Sequence, residues 1–304
     1  MRLLKPYLAA ILLASAAADL DAQVARDGQT DLTGTTSTPP AIQVLSAASA
    51  TAPVSAGAIV AVYGANFANA TASATTVPLP TELARVSANF DVADIIGQPV
   101  FQGSMPLFYV SPTQINAQIP ANALFPACNQ GSGSVYSTSI QITTATGQQT
   151  AMVNATVAPA PGLFTANETG MGVAAAQFVT NLPDGTQTIT DVASCPGGVG
   201  TCIPVPLNVA AGTSALVLWG TGISEYSGFP NGLTVLAGNQ QLQVFYAGPS
   251  AQYVGLDQIN VWMPSSLDGL GIVDVSVVVS GTTPGVVANC AFNVTSNAVT
   301  IEIH

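Results

Sequence analysis

Gln114-Ile115-Asn116-Ala117-Gln118-Ile119-Pro120 returns later in the chain as Gln258-Ile259-Asn260-Val261-Trp262-Met263-Pro264. A second string behaves the same way. Gly57-Ala58-Ile59-Val60-Ala61-Val62-Tyr63-Gly64 returns as Gly212-Thr213-Ser214-Ala215-Leu216-Val217-Leu218-Trp219-Gly220, one residue longer. An internal repeat of this kind predicts two copies of one β-rich unit. Ile115, Ala117 and Ile119 alternate with Asn116 and Gln118, the period of a strand with one buried face. In the second copy Ile259, Val261 and Met263 alternate with Asn260 and Trp262. Trp262 therefore occupies a polar-side position, matched by Gln118, and is expected to point away from its own core, either to pack on the neighbouring module or a long loop or, as a candidate contact, to meet a glycan or another subunit. Asn116 and Asn260 are expected to hydrogen-bond neighbouring loop backbone. Tyr63 and Trp219, at matching positions, are expected to pack at a strand end.

Outward from these strings the chain divides into four stretches. Residues 1–22 read as a signal peptide: Arg2 and Lys5 precede a short apolar run from Leu8 to Ala18, and small residues follow. Cleavage is expected after Ala18 or Ala22. Residues 23–41, ending near Pro39-Pro40, read as a disordered arm or linker. Residues 42–161 and 162–304 read as two β-sandwich domains, with the junction at Pro159-Ala160-Pro161-Gly162. A hairpin is expected around Thr146-Gly147. Another should run from Gly172–Thr180 through Pro183-Asp184-Gly185 to Thr186–Thr190. Val273, Val275, Val277 and Val279 mark an alternating strand, and Val299, Ile301 and Ile303 mark a last one. Almost no helix is expected.

Charge narrows the partners. The chain has 4 Lys and Arg against 15 Asp and Glu, a formal net charge of -11. After cleavage at Ala22 the basic side chains left are Arg26 and Arg85. Nucleic acid is thereby excluded as a partner, because nothing would neutralise its phosphates. Anionic membrane surfaces are excluded for the same reason.

Of the four cysteines, Cys195 and Cys202 flank a short glycine-rich loop whose ends can meet, and a disulfide is expected there. Cys128 and Cys290 remain as a second pair, which would link the two domains. No metal site is expected, since the spacings are not those of ligand pairs and the one histidine is His304.

Catalytic chemistry finds little support. Gly170-Met171-Gly172-Val173-Ala174-Ala175, with Asp191 downstream, fits a dinucleotide fingerprint on paper. It lacks the flanking strand and helix, and reads as a glycine-lined turn into a strand. No G-x-S-x-G occurs, and no histidine or lysine base is placed to activate a serine. The acids available for glycoside hydrolysis are Asp91 with Asp94, Glu225, and Asp257 with Asp268. Turn caps and solvated loop positions are the expected roles for them. No catalytic residue and no cofactor is assigned.

Several strings together resemble a known family. They are Pro78-Leu79-Pro80-Thr81, Leu107 to Pro120, Ala160-Pro161-Gly162-Leu163-Phe164-Thr165, Gly172 to Ala176, Val254 to Asn260 and Ser296 to Ile301. They are similar to the uncharacterised secreted C-terminal domain of acidobacteria of the Solibacter type, across about residues 42–304. The resemblance implies an all-β chain of two tandem immunoglobulin-like folds of the IPT/TIG kind in an extracellular setting. It carries no catalytic residues.

These readings lead to one expectation: an exported, non-enzymatic Ig-like protein that binds, adheres or scaffolds at the cell surface or in the extracellular matrix. Its partner would be an extracellular glycan, a protein or another copy of itself. A self-assembling structural subunit joined through β-strand edges is the alternative. A glycan-active enzyme is a third.

Overall fold

The computed structural model describes residues 41–123, 125, 136–209, 213–225, 229–251, 253–283 and 290–304. The expected signal peptide and nearly all of the expected arm lie outside these residues. Among the described residues there is no α-helix, only two 3-10 turns, Val199–Thr201 and Ser265–Leu267. The protein is all-β.

The first half runs β1 (Gln43–Ser46), β2 (Ile59–Tyr63), β3 (Ala72–Ser73), β4 (Glu82–Leu83), β5 (Val86–Asp94), β6 (Pro99–Ser104), β7 (Leu107–Val110), β8 (Gln114–Gln118), β9 (Tyr136–Thr144) and β10 (Gly147–Met152). Its strands form two sheets. One has the order β1-β2-β8-β7-β3, the other β10-β9-β5-β4 with β6 also on β5. Both sheets feed one core. Val60, Val62, Leu107, Ile115 and Ala117 from the first pack with Ala88, Phe90, Val92, Ile140 and Ile142 from the second. This is the packing of a sandwich, driven by apolar area removed from water between two sheet faces. Phe125 wedges edge-on between Phe90 and Tyr136, with centroids 6.2 and 5.5 Å away. The turn between β4 and β5 holds just two residues, Ala84 and Arg85, both at positive φ (51° and 64°). Mirror-image turns of this length match the twist of the paired strands.

The second half runs β11 (Gly162–Leu163), β12 (Gly172–Val173), β13 (Ala176–Asn181), β14 (Gln187–Asp191), β15 (Ala193–Ser194), β16 (Ile203–Pro204), β17 (Pro206–Leu207), β18 (Thr213–Thr221), β19 (Leu233–Ala237), β20 (Gln240–Pro249), β21 (Asp257–Met263), β22 (Gly271–Thr283), β23 (Cys290–Thr295) and β24 (Val299–Ile303). Its main path is β12-β24-β22-β19-β20-β21-β18-β13-β14. β20 is the corner: its first residues pair with β19, and from Gln243 onward it pairs with β21. The sheet thus folds over on itself. Leu216, Leu218, Ile259 and Val261 from one limb share a core with Val235, Val275, Val277 and Ile301 from the other.

The repeated strings are the central strands of each half. β2 lies between β1 and β8, and β18 between β13 and β21. Their registers coincide. Tyr63, Ala61 and Ile59 face Gln114, Asn116 and Gln118. Trp219, Val217 and Ala215 face Gln258, Asn260 and Trp262. Matching residues therefore pair with matching residues.

One sequence expectation is corrected. The strand expected over Gly172–Thr180 is two strands in two limbs. β12 pairs in parallel with β24, whereas β13 pairs antiparallel with β14 and β18. Gly170 (φ 76°) and Gly172 (φ 105°) bring the chain into this region through backbone that other residues rarely adopt. The glycine-rich string reads as turn geometry, with no following helix. Its neighbourhood ties distant segments together: the Asn297 amide donates to the carbonyls of Leu163 and Gly170, and Asn297 Oδ1 accepts from the Leu163 N–H.

Candidate functional site

The outward faces of the repeated strands meet different fates. In the first half Gln114, Asn116 and Gln118 are all buried. Behind them lies a cluster drawn from both halves: Ala48, Ile59 and Phe108 with Phe164, Ala175, Val217, Trp219 and Leu256. The seam is polar as well as apolar. The Ile59 N–H donates to Thr221 Oγ1 (2.8 Å), and that hydroxyl donates to the Gly255 carbonyl (2.8 Å). The Ala160 N–H donates to the Gly222 carbonyl (3.1 Å). Gly255 sits so close to the first half that a Cβ there would lie 2.9 Å from Gln118 Nε2. Gln118 donates to the Gly57 carbonyl (3.0 Å).

Asn116 and Asn260 each take part in one shared arrangement. Gln114 Nε2 donates to Asn116 Oδ1 at 2.7 Å, and Gln258 Nε2 donates to Asn260 Oδ1 at 3.0 Å. The clasp runs along the strand between side chains on one face. Tyr63 ends β2 half-buried, while Trp219 is buried in the seam. The Trp219 Nε1 hydrogen has no acceptor among the described residues.

The acids are spread out and mostly occupied. Asp257 is buried and accepts from the Ile223 and Ser224 N–H groups and the Ser224 hydroxyl. Burial pushes its carboxyl up to about 6, against the lowering effect of those hydrogen bonds. Glu225 stands beside it and is itself raised by burial. Its side chain lies against Gly57, where a Cβ would come 2.3 Å from Glu225 Cγ. Asp94 Oδ1 caps the β5–β6 turn by accepting from Ile96 and Gln98. Asp91, on β5, is raised by burial. Asp268 ends the second 3-10 turn. Asp257 is committed to fastening the loop that docks on the first half, a structural duty. No group of His, Cys, Asp and Glu suited to a metal ion occurs among the described residues.

Of the residues singled out from the repeat, Trp262 is the one that faces outward. It projects from β21 away from the core, as its register predicts, and is half-buried. Its cover comes from its own sheet: Phe245 stacks on the indole with centroids 4.3 Å apart and planes 26° apart. Phe245 owes that position to a β-bulge. The register between β20 and β21 slips between Val244 and Tyr246. Consecutive Phe245 and Tyr246 then both face outward, 45% and 42% exposed. Beside the indole is a groove of about 260 Å³ lined by Ser214, Gln240, Gln241, Gln243, Trp262, Met263 and Pro264. None of these residues carries a charge. The signal for this platform in the sequence is Phe245-Tyr246, two aromatics side by side in an otherwise alternating strand.

The expected bridge between Cys195 and Cys202 is present. It closes the β15–β16 hairpin immediately beyond the Ser194–Ile203 pair. The pairing of Cys128 with Cys290 falls outside the described residues. No helix among the described residues is long and apolar enough to cross a membrane.

No protein-family model matches this chain, and no curated protein matches it.

Proposed function

We propose that this chain is an exported, non-enzymatic binding protein: two tandem Ig-like sandwiches of the IPT/TIG type that act at the cell surface or in the extracellular matrix. The observation that carries the reading is the outward Trp262, braced by Phe245 over an uncharged groove. Large, rigid aromatics are the side chains that most often anchor contacts, because they bury much area at little entropic cost. The Cys195–Cys202 bridge suits an oxidising compartment, and the resemblance to secreted acidobacterial domains points the same way. The buried acid Asp257 is engaged in holding a loop, which favours a structural over a hydrolytic role for it.

N-terminal sequencing of the exported protein tests the location, with Asp19 or Gln23 as the expected first residue. Trp262→Gln tests the contact. Attachment to the producing cell's envelope or matrix should fall sharply while the melting profile stays close to wild type. Unchanged attachment would remove the Trp262 face from the reading. Esterase and peptidase assays on the purified protein should show no turnover.

A second reading, assembly through strand edges, has its own observation. β14 lies at the end of its sheet with Gln187 to Thr190 exposed and uncharged. Sedimentation of the mature protein separates the two: filaments or higher oligomers favour strand addition, a stable monomer the binding protein.

A further inference from the structure

We infer that the groove beside Trp262 binds an uncharged oligosaccharide, one sugar ring stacking on the indole and its hydroxyls meeting the flanking amides. The inference rests on the reading of Trp262 as the contact residue and names the ligand class. Three features of the groove carry it.

The first is the aromatic surface. Phe245 stacks on Trp262 and is not among the residues that line the groove, so it braces an indole that borders the groove. A pyranose presents a flat patch of C–H groups, which are weakly positive. The face of an indole is negative, and a pre-fixed ring loses little entropy on binding.

The second feature is the polar lining. Gln241 and Gln243 are exposed, and neither amide has a hydrogen-bond partner among the described residues. Gln240 is already engaged with Ser266. An amide offers donors and an acceptor together, as does each sugar hydroxyl, so the two match in either orientation. Ser214, also in the lining, is buried with a hydroxyl that no group among the described residues satisfies. A buried polar group without a partner is uncommon in native proteins.

The third feature is charge. The lining is neutral, and the chain carries a net charge of -11. Uronic or sulfated chains would be repelled. At about 260 Å³ the groove is smaller and more open than a pocket that encloses a whole ligand. It suits one or two rings of a longer chain.

Tryptophan fluorescence reads the test, because the protein has two tryptophans and Trp219 is buried. Trp219→Phe leaves Trp262 as the sole reporter, and calorimetry on the unmodified protein gives a second measurement. The probes are cellohexaose, xylohexaose, mannohexaose and maltohexaose, with polygalacturonate as the anionic arm. At least one uncharged hexasaccharide should shift Trp262 emission to the blue and saturate. Trp262→Ala should weaken that binding by about tenfold or more, and Gln243→Ala by roughly threefold. No saturable signal from any uncharged probe up to about 10 mM would overturn the inference. So would tighter binding of polygalacturonate. A shift in Trp262 emission that follows protein concentration alone would also overturn it, while leaving Trp262 as a contact between copies. Loss of the contact reading itself is registered separately, by unchanged attachment of Trp262→Gln.

Discussion

The two copies of the repeat share one blueprint and use it for opposite ends. β2 with β8 and β18 with β21 keep the same register and the same Gln–Asn clasp. At the end of each central strand a glycine lets an apolar side chain fold back: Phe67 lies over Gly64 and Ile223 over Gly220. The fastening of that loop differs. In the first copy the Phe67 N–H donates to the Pro112 carbonyl (3.1 Å). In the second the Ile223 N–H donates to the Asp257 carboxylate (2.9 Å), which stands where the first copy has Thr113. The outer faces diverge too. The first turns buried Gln118 toward the seam, and the second turns half-open Trp262 away from its core. Duplication conserved the parts that fix pairing. It left the outer faces free to diverge: the first is buried at Gln114, Asn116 and Gln118, while the second joins the seam at Val217 and Trp219 and opens outward at Trp262.

The largest effect should come from breaking the Tyr63/Trp219 equivalence. Trp219→Ala empties a buried position in the seam and should cost about 3–5 kcal/mol. Tyr63→Ala, at the half-buried counterpart, should cost about 1 kcal/mol. Urea unfolding measures both, and equal costs would mean the seam is not built asymmetrically.

The Thr113/Asp257 difference predicts a pH dependence that Thr113 gives no counterpart to in the first copy. The folded-state pKa of Asp257, about 6, lies above its ordinary 3.8. The folded protein therefore holds a proton that the unfolded chain releases. The stability this adds is fully present below pH ~4 and is lost as pH rises through ~6, a swing of at most about 3 kcal/mol. Asp257→Asn should flatten that slope, and an unaltered slope would assign the effect elsewhere.

Gly255→Ala probes the seam itself. Its φ of 71° and the 2.9 Å approach to Gln118 leave no easy place for a methyl group, so a loss of about 1–3 kcal/mol is expected. The smallest contrast lies in the clasp. Gln114→Ala removes a hydrogen bond in buried surroundings and should cost about 1–2 kcal/mol; Gln258→Ala, half-buried, about 0.5 kcal/mol. Hydrogen exchange at β8 and β21 would rank them independently.

The hairpin at Thr146-Gly147 and the outward direction of Trp262 were legible in the sequence, because turn residues mark reversals and a two-residue period assigns faces. The burial of Gln118 was not legible. Alternation says which face a residue takes, and says nothing about a second body covering that face. The Phe245–Trp262 stack escaped for another reason. A bulge shifts the period by one residue partway along β20, and only the structure shows where the slip falls. The corner role of β20 was hidden likewise, since one strand's pattern does not reveal that its ends serve different limbs.

The two-residue turn at Ala84-Arg85 has a practical consequence. Arg85 is the sole lysine or arginine between residues 41 and 304. Trypsin therefore has one target in this whole stretch, held in a tight reversal between paired strands. A protease needs an extended segment, which this turn supplies only once β4 and β5 part. A split after Arg85 is thus a built-in clock for local opening of the first half.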